Sequence, residues 1–283
     1  MKNIIYILLA LFTLSSCEDD MLREYIPQTM VEAYLIVNQP IEDVKLFTSQ
    51  PVFDKYDISK SAIHDAEVYI RTGDDLLKLE IDPNSSSYYY PDKTYLVKPN
   101  THYDLEIVLK DGTVITGETN TPSEMNWVME ANDTIQYPLD TLHLRATDYI
   151  SWTKVPDVSY YYGNIKCLDT LNYGKYLTPA TDEPNRRVYN FMNEMSDGDE
   201  YKEISSGVLL GAQKTSVVWN VFRWFGPHAV TIYAPDANML KWVIQAFNMQ
   251  GYDERLSSVK NACGCFGSAS MISDTIFLRK NQR

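Results

Sequence analysis

The chain has 283 residues, 45% of them hydrophobic and 22% charged, a globular composition with room for two domains of ordinary size. Its net charge of −13 repels phosphate backbones and anionic head groups, so nucleic acid is not an expected partner. Past the first residues, no apolar run approaches the ~20 residues that cross a bilayer as a helix.

Lys2 opens a basic start, and the apolar run Ile4 to Leu14 is too short to span a membrane. Leu14-Ser15-Ser16-Cys17 then reads as a lipobox. Residues 1–16 are the expected lipoprotein signal peptide. Cys17 is the expected lipidated N-terminus of the mature chain, and residues 17–28 form an acidic tether. The competing reading is an ordinary cleaved leader with a chance cysteine.

The next ninety residues alternate as strands do. Val31 to Val37 is β-prone and ends at Asn38-Gln39-Pro40, and Val44 to Thr48 makes a second strand. Ala66 to Ile70 turns at Thr72-Gly73-Asp74-Asp75 into Leu76 to Ile81. Tyr103 to Leu109 and Val114 to Glu118 close the set, which predicts an N-terminal β-sandwich over 29–122. Leu96 to Leu105 resembles the fibronectin type III pattern that leads into a late strand. In that pattern a tyrosine turns the corner between sheets, so Tyr103 is expected either there or as an ordinary inward side chain.

A linker is expected at 123–141, followed by a C-terminal β-rich domain over 142–283. Tyr149 to Pro156 reads as a Trp-bearing strand and Ser159 to Lys166 as its neighbour. Residues 172–202 read as long loops. Val208 to Leu210, Ser216 to Phe222, Ala229 to Tyr233 and Ile276 to Leu278 read as further strands. One helix is predicted near 237–250. Asp236 caps it, Met239, Leu240, Val243 and Phe247 recur at helical spacing, and Gly251 ends it. The expected fold is therefore mainly β, with two tandem Ig/fibronectin III-like sandwiches and one packed helix.

Chemistry is harder to find. The sequence contains no nucleophile elbow, phosphate loop, His-Glu-x-x-His or dinucleotide fingerprint, so no catalytic residue and no cofactor are expected. His64, His102, His143 and His228 are scattered without ligand spacing, so no metal is expected either. Asp197, Asp199 and Glu200 offer oxygens for calcium, but such loops are common in an acidic chain. His228 follows Gly226-Pro227 and reads as a turn histidine. In an oxidising compartment Cys167 can bridge Cys263 or Cys265, whereas the last two are too close to bridge each other without strain. The runs Tyr88-Tyr89-Tyr90 and Tyr160-Tyr161-Tyr162 either pack locally or expose rings to a protein or sugar.

Several segments together carry a resemblance: Met30 to Leu35, Val44 to Thr48 with Pro51-Val52-Phe53-Asp54, Asp65 to Val68, Tyr90 with Lys98 to Tyr103, and Val259 to Ala269. The chain resembles a Bacteroidota family of two-domain outer-membrane lipoproteins, a domain of unknown function typically encoded beside TonB-dependent receptors. Asn100 stands where that family usually has glycine, and Ala262-Cys263-Gly264-Cys265 stands for its glycine-rich turn.

The resemblance implies a non-catalytic cell-surface accessory of a TonB-dependent receptor in nutrient uptake, lipid-anchored in the outer membrane and facing the exterior. A free-standing glycan- or peptide-binding lipoprotein and a structural adhesin are the alternatives. Glu18-Asp19-Asp20 is similar to the acidic surface-export signal of that phylum, and is otherwise a solvated tether. The Asp-Thr-Ile/Leu triplets at Thr134, Thr141, Thr170 and Thr275 resemble its O-glycosylation sites, although some can be plain strand ends.

Overall fold

The computed structural model describes residues 25–51, 58–136, 149–169, 172–177, 179–180, 206–216, 222, 224–248 and 254–279. It is mainly β, with two sandwich cores and one helix of any length. The first seven strands are β1 (Thr29–Ile36), β2 (Lys45–Thr48), β3 (Glu67–Thr72), β4 (Asp75–Asp82), β5 (Ser87–Tyr89), β6 (His102–Val108) and β7 (Val114–Asn120). Next come β8 (Trp127–Met129), β9 (Thr134–Gln136), β10 (Tyr149–Trp152), β11 (Tyr161–Cys167), β12 (Ser206–Leu210), β13 (Lys214–Ser216) and β14 (Gly226–Pro235). The helix α1 (Ala237–Asn248) follows, then β15 (Val259–Lys260) and β16 (Cys263–Arg279).

The last strand decides the architecture. Ile276 to Leu278 is the tip of a 17-residue strand that runs along both cores. Its first half pairs in parallel with β1, from Met30↔Cys263 to Ile36↔Ala269. Its second half pairs antiparallel with β14, from Pro235↔Ala269 to Gly226↔Leu278. Ala269 is the hand-over point, paired to both neighbours. One sheet of order β12-β11-β14-β16-β1-β2 thus serves both sandwiches, with β9 added on β16.

The sheet β15-β7-β6-β3-β4-β5 covers its β1 half, and β13-β10-β8 covers its β14 half. Alternation does the rest. Val31, Ala33, Leu35 and Phe266 point inward against Val68, Ile70, Leu105 and Ile107. Val230, Ile232, Ile276 and Leu278 point inward against Ile150 and Trp152.

The N-terminal sandwich therefore reaches beyond the expected 29–122. It is completed by Val259 and Phe266 from the far end of the chain, whereas the buried residues of the second core, from Met125 to Leu278, all follow residue 122. The expected linker 123–141 also contributes β8 and β9 to sheets. The cysteine-flanked Gly264 is not a turn but the second residue of β16. Its φ of +131° and the Val31 carbonyl beside it leave no room for a side chain there. The start of the second domain near Leu142, Phe53 and the helix-ending Gly251 lie outside the described residues.

Candidate functional site

The outer face of the shared sheet gathers aromatic side chains from strands far apart in sequence. Tyr162 of β11 and Tyr233 of β14 are direct cross-strand partners, and their rings stack at 5.8 Å and 24°. Tyr34 of β1 lies one strand beyond β16, opposite Gly267. The helix rests on this face because Gly267 lacks a side chain. A Cβ there would come within 2.8 Å of the Met239 nitrogen. Trp242 of α1 donates its indole N–H to the Tyr34 hydroxyl.

Asp236 sets the helix start. Its Oδ1 accepts the Met239 N–H at 2.8 Å, and its Oδ2 accepts the Thr119 hydroxyl at 2.6 Å. Thr119 in turn bonds Ser268 at 2.9 Å, so cap, covering sheet and shared sheet meet in one buried network. Burial pushes the Asp236 carboxyl above its ordinary value, against the hydrogen bonds that favour its charge.

Between the N-terminal turn of α1 and the 39–43 loop lies a cavity of about 380 Å³, floored by Tyr34, Tyr162 and Tyr233 and walled by Asn164 and Met239. Asn164 Oδ1 is buried and has no hydrogen-bond partner among the described residues. At the rim, Glu42 pairs with Lys93 at 2.9 Å and Asp43 with Lys45 at 2.8 Å. Burial holds the phenols of Tyr34, Tyr162 and Tyr233 above the usual tyrosine range, so they are neutral rings at physiological pH. The arrangement can stack on a flat ligand and accept one donor through Asn164.

A second, more polar cleft of about 400 Å³ opens at the sandwich junction, between the β7 end with Glu118 and Asn120 and the helix start with Asp236 and Asn238. Asn100 borders it at φ +49°, the left-handed conformation that asparagine tolerates, which explains how it stands in for glycine. Tyr103 is fully buried, and its hydroxyl accepts the Lys98 N–H at 2.9 Å, forming the corner. The second core has its own version, unread in the sequence: Tyr161 accepts the Val155 N–H at 3.1 Å. Of the tyrosine runs, Tyr88 is buried and hydrogen-bonds Ile63 and Ala66, whereas Tyr160 is exposed.

Cys167, Cys263 and Cys265 are all buried and none is in a disulfide, so the permitted bridge is not formed. The register explains why. Cys167 lies level with His228, hence with Ile276 of β16, roughly 36 Å along the strand from Cys265 at ~3.3 Å per residue. His228 is not a turn histidine but a core one, 1% exposed, its Nδ1 on the Gly226 carbonyl at 2.8 Å. Burial holds its pKa low. Thr134 and Thr275 are exposed on β9 and β16. Cys17, Glu18, Asp19, Asp20, Thr141, Thr170 and the Asp197–Glu200 loop lie outside the described residues. His102, Asp104 and Glu118, which sequence spacing does not join, converge on one sheet face.

Fold and site together define a two-core β-sandwich scaffold with an aromatic pocket on its shared sheet. The chain belongs to the family described as "Domain of unknown function (DUF4249)", which matches residues 22–205. No curated protein matches it. Among solved structures it is similar to "Crystal structure of DIP-gamma IG1+IG2", at 7% identity over 92% of this chain and 99% of that one. The TM-score is 0.20, and at that score the likeness carries no argument.

Proposed function

We propose that this protein is a non-catalytic, lipid-anchored surface protein that works beside a TonB-dependent outer-membrane receptor in nutrient uptake. The lipobox ending at Cys17, the acidic Glu18-Asp19-Asp20 and the Bacteroidota resemblance support the anchor, the export to the cell exterior and the receptor partner. Among the described residues no helix is long and apolar enough to cross a membrane. The observation that carries the binding role is the tyrosine-floored cavity. It offers stacking surface and an unpartnered acceptor, and no residue named in its floor and walls is an activated nucleophile.

The test is a mild-detergent pull-down of the tagged, lipidated protein from its native outer membrane, read by mass spectrometry. A stoichiometric TonB-dependent receptor is the expected result. Recovery of the protein alone, in repeated and cross-linked preparations, would refute the receptor role. The stacked Tyr162–Tyr233 pair favours a second reading, a free-standing glycan- or peptide-binding lipoprotein. In that case Tyr233→Ala abolishes ligand retention on a glycan or peptide array while the pull-down stays empty.

A further inference from the structure

The solvent face of the six-stranded sheet holds a second site that the sequence does not announce. His102 and Asp104 are two residues apart on β6 and so share one face. On β7, Asn120 pairs with His102 and Glu118 pairs with Asp104. The ligand atoms of His102, Asp104 and Glu118 all lie within 4.8 Å of one another. His102 Nε2 is 3.1 Å from Asp104 Oδ1. Ligands about 2.0–2.1 Å from a tetrahedral ion stand roughly 3.3 Å apart, so this edge is already near the required length.

Two independent features point to a cation. His102 Nδ1 lies 3.0 Å from Asn120 Oδ1. An amide oxygen only accepts, so Nδ1 donates its proton to Asn120, which aims Nε2 at the Asp104 carboxylate 3.1 Å away, where a metal ion can replace the proton between them. Metal-binding imidazoles are oriented by this kind of outer hydrogen bond. Separately, Asp104 and Glu118 face each other directly across the strand pair, a like-charge pairing that destabilises a sheet. Arg71 stands opposite Asp104 on β3 but forms no ion pair with it, and among the described residues Glu118 has no ion-pair partner at all.

We propose that His102, Asp104 and Glu118 bind a divalent transition metal of the zinc class, with Asn120 as a positioning residue. The imidazole donor and the compact three-ligand set suit zinc better than calcium, which takes six to eight oxygens. Three protein ligands leave a fourth coordination position for an outside group. Glu118 and Asn120 also line the polar junction cleft of about 400 Å³.

Isothermal titration of the full chain in mild detergent with zinc chloride tests this, with calcium chloride as comparison and a thermal melt in EDTA as the fold control. The expected result is one equivalent of zinc bound. His102→Gln should weaken it at least tenfold, and Asn120→Ala by roughly 10–100-fold with an unchanged melt in EDTA. Zinc should raise the melting temperature of the wild-type protein and leave that of His102→Gln unmoved. If His102→Gln does not fold, Glu118→Gln, at an exposed position, must show the same loss. Absence of zinc binding, zinc binding equal in wild type and variants, or tighter binding of calcium would each overturn the proposal.

Discussion

Phe266→Ala probes the claim that one strand holds both cores together. Phe266 is fully buried in the N-terminal core, although it lies 17 residues from the chain's end. Removing a buried phenyl costs about 3–5 kcal/mol in transfer and cavity terms. That is a large share of the ~5–15 kcal/mol by which a typical domain is stable. With a urea dependence of about 3 kcal/mol per M, the midpoint falls by roughly 1–2 M.

The informative point is which probe sees the shift. All five tryptophans, Trp127, Trp152, Trp219, Trp224 and Trp242, lie after residue 122, and β1 to β7 contain none. Tryptophan fluorescence therefore reports on the C-terminal half and on α1, whereas the mutated side chain sits in the other core. If β16 couples the cores into one cooperative unit, the fluorescence midpoint moves as far as the circular dichroism midpoint. An unmoved fluorescence midpoint, with hydrogen exchange lost only in β3, β6 and β7, would refute the coupling.

Other outcomes follow from the same contacts. Gly267→Ala drives a methyl into the Met239 backbone, so it should lower stability by about 1–3 kcal/mol and loosen α1, seen as a reduced melting temperature and a shifted Trp242 emission. Tyr103→Phe leaves the Lys98 N–H without its acceptor, and Tyr161→Phe does the same to Val155. Each should cost about 1–3 kcal/mol by urea titration, and a neutral result would remove the corner from the account. Asp236 has a folded pKa raised above its ordinary 3.8, so its contribution to stability is fully present below the unfolded pKa and is lost as pH rises through the folded one. The stability of wild type relative to Asp236→Asn should therefore improve as pH falls from neutral toward that value, and a flat difference would contradict the buried charge. Burial pushes the Cys265 thiol up to about 12, so alkylation of native protein should be slow and track unfolding. Rapid labelling of Cys265 in the folded state would show the site to be open.

Local structure could be read from the chain alone. Period-two alternation located β1, β3, β4, β6 and β7 to within a residue or two, and helical spacing behind Asp236 located α1. Tyr103 was legible because its partner lies five residues away, and its hydroxyl needs an acceptor role close by. Tyr161 had the same chemistry but sat in a tyrosine run that masked it.

Everything that depends on strand partners was set by the fold. Main-chain hydrogen bonds between strands carry no residue code, so nothing in Met30 to Ile36 names Cys263 to Ala269 as its parallel neighbour, more than two hundred residues away. That one pairing joins the two expected sandwiches through one shared sheet, puts the cysteine-flanked Gly264 in a strand, and keeps Cys167 out of reach of both thiols. Register likewise sets Tyr162 beside Tyr233, and His102 and Asp104 beside Asn120 and Glu118. A one-residue slip would send each of those side chains to the opposite face of its sheet. The pocket and the proposed metal site exist because burial of Val31, Leu105 and their neighbours allows only one register.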